Sequence, residues 1–189
     1  MANNQYIDVP LGPGIVEYYD GLEGADPTIF DITKGGIVFS SASTKHDVTV
    51  DQYGDTIVKS VFKGRSCQVV IPFALNDLKR IAAATPNSEY IEDATDPTKK
   101  QLKVYSQAGH NMTKNARKLI VKPTDPEATP NDWITIPLAS PISDPEYTYN
   151  AENERIANLT YVGYPDLSQK GLLYVMGDVT AIPAAPTTP

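Results

Sequence analysis

One cysteine and two histidines are scattered through 189 residues, and this scarcity removes whole classes of chemistry. A single thiol closes no internal disulfide. Cys67 falls on the apolar phase of an alternating run, where a thiol behaves as a small hydrophobe rather than a reactive nucleophile. His46 and His110 stand too far apart for any zinc motif with standard ligand spacing and read as surface or interface residues. A nucleophilic site built from Cys67, His46 and Asp47 fails on geometry. His46 and Asp47 are neighbours on a strand and so point to opposite faces, and no nucleophile elbow is present.

Long apolar runs are also missing. None approaches the roughly 20 residues needed to cross a bilayer, and none follows Met1 as a secretory signal would, so a soluble chain made in a cytoplasm is expected. Positive charge is in short supply: 16 Lys and Arg face 23 Asp and Glu, a net charge of −7. That sign repels phosphates and argues against a gene regulator or a packaging protein. Asp93 and Asp96 place two carboxylates three apart, but no central glycine or distal glutamate of a calcium loop accompanies them. Neither Gly12-Pro13-Gly14 nor Lys34-Gly35-Gly36 leads into a helix as a phosphate loop does. No catalytic constellation remains, and neither a metal nor a cofactor is expected.

What the chain does have is punctuation: 16 prolines and 12 glycines, with 11 tyrosines among many Thr and Val. This favours short strands separated by turns, an all-β architecture in a single domain. The clearest stretch runs from Val48 to Pro86. Thr56 to Phe62 is rich in β-branched residues, Lys63-Gly64-Arg65 is a turn signal, and Cys67, Val69, Ile71 and Phe73 then alternate with Ser66, Gln68, Val70 and Pro72 as a half-buried strand does. Pro72 donates no ladder hydrogen bond, so the strand must end there or lie where that N–H is not needed. Leu75, Leu78, Ile81 and Ala82 recur at helical spacing, and Pro86 stops a helix predicted over 75–85.

These elements carry a resemblance. A turn of the form acidic residue-Gln-Tyr-Gly-Asp (Asp51 to Asp55), a strand, a glycine turn at Gly64, a core strand and a short helix closing on Thr85-Pro86 resemble the major tail tube protein of long-tailed, non-contractile bacteriophages. Asp31 to Ser43 and the run Ile156 to Val162 are similar to further parts of that family, so that about half the chain is covered. The resemblance implies an antiparallel β-sandwich or barrel with one short helix and extended arms and loops. Its function would be structural: a virion subunit forming hexameric rings that stack into the tube through which DNA passes without specific binding. The implied partners are further copies of the chain and the tape measure, terminator and distal tail proteins, in a virion and away from any membrane.

On this reading the chain divides into an extended arm over residues 1–22 with at most one strand, a β-domain over 23–179, and a proline-rich tail over 180–189. Thr28 to Ser43 reads as a hairpin around Lys34-Gly35-Gly36, and Asn87 to Lys100 as a polar surface loop. Residues 123–150 read as a long irregular excursion in which Trp133 to Leu138 forms at most an edge strand, because Pro137, Pro141 and Pro145 interrupt it. Asp47, Asp51 and Asp55 are the candidates for channel or rim positions. Tyr6, Ile7, Val9, Trp133, Ile134, Ile136, Tyr147 and Tyr149 are candidate subunit or ring contacts, apolar and aromatic residues that a solvated linker would not need. Two alternatives share the strand pattern: a tail terminator or secretion-tube subunit forming single rings, and a carbohydrate-binding or adhesin-like sandwich presenting its tyrosines as a platform.

Overall fold

The computed structural model describes residues 12–20, 26–143, 145–147, 149, 152 and 154–182. Tyr6, Ile7 and Val9 lie outside the described residues. The strands are β1 (Gly14–Tyr18), β2 (Thr28–Phe30), β3 (Val38–Thr49), β4 (Ile57–Phe73), β5 (Ser88–Glu92), β6 (Lys100–Val104), β7 (Arg117–Pro123), β8 (Ile134–Pro141), β9 (Ala157–Gly163) and β10 (Val175–Met176), with one α-helix, α1 (Leu78–Ala84). Seven strands form a continuous antiparallel path in the order β2-β1-β7-β8-β9-β4-β3, β10 pairs with β8, and β5 and β6 form a separate hairpin.

The predicted alternation in β4 holds: Cys67, Val69, Ile71 and Phe73 are all buried. On β9 the same period buries Ala157, Leu159 and Tyr161. The sheet curls until its ends meet. Thr33, just after β2, bridges to Phe73; the Lys34 N–H donates to the Pro72 carbonyl (3.0 Å), and the Ala74 N–H donates to the Ile32 carbonyl (3.0 Å). Because N–H and C=O of one strand residue point to the same side, the missing N–H of Pro72 faces this loose closure and not the β9 ladder. That is how β4 continues through its proline.

An aromatic stack fills the rolled sheet. Tyr18 and Tyr161 lie 4.8 Å apart, Phe30 and Phe73 meet edge-on at 5.4 Å, and Phe30 reaches Tyr161 at 6.2 Å. Helix α1 covers this core with Ile81 and Ala84, and the Tyr161 hydroxyl donates to the Ala83 carbonyl at 3.3 Å. Asp77 caps the helix by accepting from the N–H groups of Lys79 and Arg80, which sets its start three residues inside the predicted span.

Five expectations change. Lys63-Gly64-Arg65 is not a turn: β4 runs unbroken from Ile57 to Phe73, with Gly64 and Arg65 paired to Thr44 and Ser43 on β3 and Lys63 taken up as a bulge, so the turn-like composition bends one strand instead of ending it. β2 and β3 stand at opposite ends of the strand order, so Thr28 to Ser43 is a crossing between sheet ends rather than a hairpin. Phe30 gains more from pairing with Val16 on β1 and packing into the core than a local turn would return. The one strand allowed within 1–22 is β1, but it is part of the domain and no separate arm: it is paired on both sides and buries Val16 and Tyr18, so among the described residues the sheet begins at Gly14. Asn87 to Lys100 holds β5, with Asp93 and Asp96 accepting from the Thr95 and Thr98 N–H groups to build the turn. The excursion over 123–150 contains β8, a central strand and not an edge. Pro137 is tolerated there because its neighbours change at that point. β10 and β7 pair with residues 134–136, β9 pairs with 139–141, and the β7 register slips between Arg117 and Leu119.

Gly163 ends β9 against Cys67. A Cβ at this position would lie 2.3 Å from the Cys67 Sγ and 3.1 Å from Ile136 Cγ2. Gly163→Ala is therefore expected to cost about 1–3 kcal/mol in urea unfolding, with part of the loss recovered in the Gly163→Ala, Cys67→Ala double variant; additive effects would contradict the clash. The tyrosine core sets a second expectation. Burial, then the nearby Asp20 carboxylate, pushes the Tyr18 phenol up to about 12, and burial raises Tyr161 well above its ordinary value. Unfolded tyrosines lose their protons near pH 10 while Tyr18 keeps its own, so the contribution of Tyr18 to stability is constant below pH 10 and falls as the pH rises towards 12, by about 2–3 kcal/mol. Denaturant midpoints between pH 8 and 12 measure this, and Tyr18→Phe should flatten the slope.

A projecting two-stranded ribbon as the candidate functional site

β3 and β4 pair from Val38–Val70 out to Thr49–Ile57, but β9 accompanies β4 only from Gln68 to Phe73. Beyond Gln68 the two strands leave the sheet as an isolated ribbon, roughly 30 Å long at 3.4 Å per residue. A 3₁₀ turn at Asp51–Tyr53 and Gly54 at φ 59° close its tip. The outer edge of β3 is the end of the strand order, and the opposite edge of β4 is unpaired along the ribbon, so both rows of backbone donors and acceptors lie open.

Two register slips shape it. Lys63 is the extra residue opposite Thr44–Lys45, and Val58 the extra residue opposite Val48–Thr49. Each bulge increases twist and lets neighbouring side chains share a face. On one face the Arg65 Nε donates to Ser43 Oγ, the Arg65 guanidinium lies 5.8 Å from the Phe62 ring, Lys45 pairs with Asp47 at 3.0 Å, and Ser60 Oγ donates to Asp47 Oδ1. His46 and Val61, a cross-strand pair, occupy the other face. Large apolar side chains are open to water along the ribbon: Phe62 is 62% exposed, Ile57 51%, Val58 46% and Val61 44%, with Tyr53 at the tip 68% exposed.

All three channel candidates belong to this ribbon. Asp47 lies on the Phe62 face, Asp51 opens the tip turn and Asp55 follows it. The Ser60 hydrogen bond, then Lys45, holds the Asp47 carboxyl below the usual carboxylate range. The ribbon is nevertheless near neutral, because Lys45, Lys59, Lys63 and Arg65 offset the three carboxylates. The acidity of the chain lies elsewhere.

The contact candidates do not gather here. Ile136 is fully buried in the core, which removes it as a contact residue: its side chain fills the space between Gly163 and the rest of β8. Ile134 is half-buried where β8 pairs with β7 and β10. Tyr147 packs against the core, and burial raises its phenol. Tyr149 is 75% exposed beside the Arg155 guanidinium, 5.0 Å from its ring. Trp133 is half-buried under the Lys122 ammonium, 4.3 Å from the ring centroid. Among the described residues, Tyr18 and Tyr161 belong to the core, Tyr53 is at the ribbon tip and Tyr149 sits by Arg155, so these four share no common face. Sequence reasoning passed over Ile57, Val58, Val61 and Phe62. Their signal was the pair of apolar doublets, which break the period of two and leave apolar groups on both faces of one strand.

Among the described residues no group of three or more His, Cys, Asp or Glu is placed to hold a metal ion, and no helix is long and apolar enough to cross a membrane. No protein-family model matches the chain, and no curated protein matches its sequence. The ribbon stands outside the core, so replacing Phe62 with Asp should leave the unfolding free energy within about 0.5 kcal/mol of the parent. A large loss of stability would show that Phe62 supports the subunit and is not held for a partner.

Proposed function

We propose that the protein is a virion structural subunit that assembles into hexameric rings stacked as a phage tail tube, the conduit for DNA delivery. The ribbon carries this reading. Two open strand edges and four exposed apolar side chains on one projection are a poor arrangement for an isolated molecule in water and a good one for a subunit whose neighbours complete the sheet. Backbone pairing between copies supplies affinity, and the Phe62 face and Val61 face supply register. A rotation that closes uses every edge and leaves none at which to aggregate. Support comes also from the position of the Asp51 to Asp55 turn, the motif most like the family, at the ribbon tip. In the assembled tube Asp51 and Asp55 take rim positions, the net charge of −7 keeps phosphates from adhering, and the tape measure, terminator and distal tail proteins meet the tube.

The test is direct. Concentrated purified protein is viewed by negative-stain electron microscopy beside the Phe62→Asp variant, with light scattering over a range of salt and protein concentration. Tubes or stacked rings with a central channel are expected from the parent, and loss of assembly with an intact fold from the variant. Isolated rings would assign the chain to a terminator or single-ring role. Monomers under every condition would remove the tube reading and favour a binding module.

A further inference from the structure

A second surface shares no lining residue with the ribbon and stands independently of tube assembly. The segment Val175–Thr180 runs beside β8, with β10 paired to Ile134 and Thr135 and the Gly177 N–H donating to the Trp133 carbonyl at 2.9 Å. Between this segment and β7 is an open groove of about 290 Å³ lined by Trp133, Ile120, Pro130 and Val179, with Lys118 and Asp178 also on its wall. Trp133 is held ready: Lys122 lies against its ring, and Glu17 fixes Lys122 at 2.6 Å. A half-buried indole, an apolar floor and a few polar groups are what an extended proline-rich peptide docks against.

The sequence contains such a peptide. Residues 183–189 read PAAPTTP, placing Pro183, Pro186 and Pro189 at a spacing of three. Three residues make one turn of the polyproline II helix, so the three rings fall on one edge of that conformer, along roughly 20 Å at 3.1 Å per residue. The chain reaches this stretch from the groove wall itself. A turn from Asp178 to Ala181, closed by the Ala181 N–H on the Asp178 carbonyl, follows Gly177, and Ile182 is then 90% exposed. Ile182 is thus not packed into the groove of its own chain.

We propose that the Trp133 groove is a docking site for the proline-spaced segment 183–189 of a second copy of the chain. Docking presents the edge carrying Pro183 and Pro186 to the indole, and the rigid conformer loses little entropy on binding. Each copy both gives a segment and receives one.

Trp133 is the only tryptophan in the chain, so its emission reports on the groove alone. The experiment titrates a synthetic nonapeptide, AIPAAPTTP, into full-length Phe62→Asp protein, which keeps the groove and separates this binding from ribbon assembly. A saturable blue shift is expected, and about ten-fold weaker binding for the peptide in which the residues matching Pro183 and Pro186 are alanine. In the full chain without peptide, the shift should grow with protein concentration and be lost when Pro183 and Pro186 are replaced by alanine. No shift at millimolar peptide overturns the site. A blue shift of the full chain that is already complete at the lowest concentration, and is removed by the same replacements, overturns the second-copy assignment in favour of docking within one chain. Failure of the tube reading would appear in microscopy and leaves these outcomes unchanged.

Discussion

Seventeen residues of β4 carry backbone donors and acceptors towards both sides, and the subunit supplies a ladder partner on both sides only near its C-terminal end. Every other feature of the molecule is arranged around this mismatch. Where β9 runs beside β4, Val69, Ile71 and Phe73 continue the buried phase begun at Cys67, and only Pro72 on the opposite phase is buried with them. Where β9 stops, the same strand continues with β3 as its one neighbour and loses its core. A two-stranded ribbon is at best marginally stable in water, and this one holds its shape through cross-strand pairing, two bulges and the contacts of Arg65, Ser43, Lys45, Asp47 and Ser60. Its apolar side chains stay about half open to water.

The core, by contrast, is self-sufficient. The rolled sheet encloses Phe30, Phe73, Tyr18 and Tyr161, and α1 seals it, with the Tyr161 hydroxyl satisfied by the helix backbone. Among the described residues no buried side-chain nitrogen or oxygen lacks a hydrogen-bond partner. The core half of β4 can tolerate little change of volume, as the Gly163–Cys67 approach shows, whereas the ribbon half projects from the core with its side chains open to water.

Local patterns in the sequence showed what the strands are but not where they go. Alternation placed β4 and β9, the β-branched run placed the ribbon strand, and the 3.6-residue period with a stop at Pro86 placed α1. Pairing was harder, because it depends on non-local competition: Lys34-Gly35-Gly36 has the composition of a hairpin turn, yet β1 and β4 outbid each other's neighbours for the flanking strands. Proline misled in the same way. Pro137 argued against a central strand when read alone, but a changeover between β10 and β9 at that residue removes the need for its N–H. On the ribbon, the turn motif pointed to Asp51 and Asp55 and to Asp47 nearby, while Phe62 and Val61 were passed over because a break in period reads as noise until the strand is seen to lack a core.

Charge completes the division between the two halves of the molecule. The chain carries 16 cations and 23 carboxylates, and the stretch 45–65 holds four and three of them, leaving 12 against 20 for the rest. On the proposed reading a near-neutral ribbon would let copies approach edge to edge with little repulsion at the contact, and its Lys45–Asp47 pair already matches two of its charges within the strand. The remaining surface, acidic by eight charges on that count, repels its like at longer range, an effect that fades beyond a Debye length of about 10 Å at 0.1 M salt. In the proposed assembly, close attraction confined to one projection, with repulsion spread over the rest, would select the contact that uses the ribbon over the many that do not. Specific assembly needs that contrast as much as it needs open strand edges.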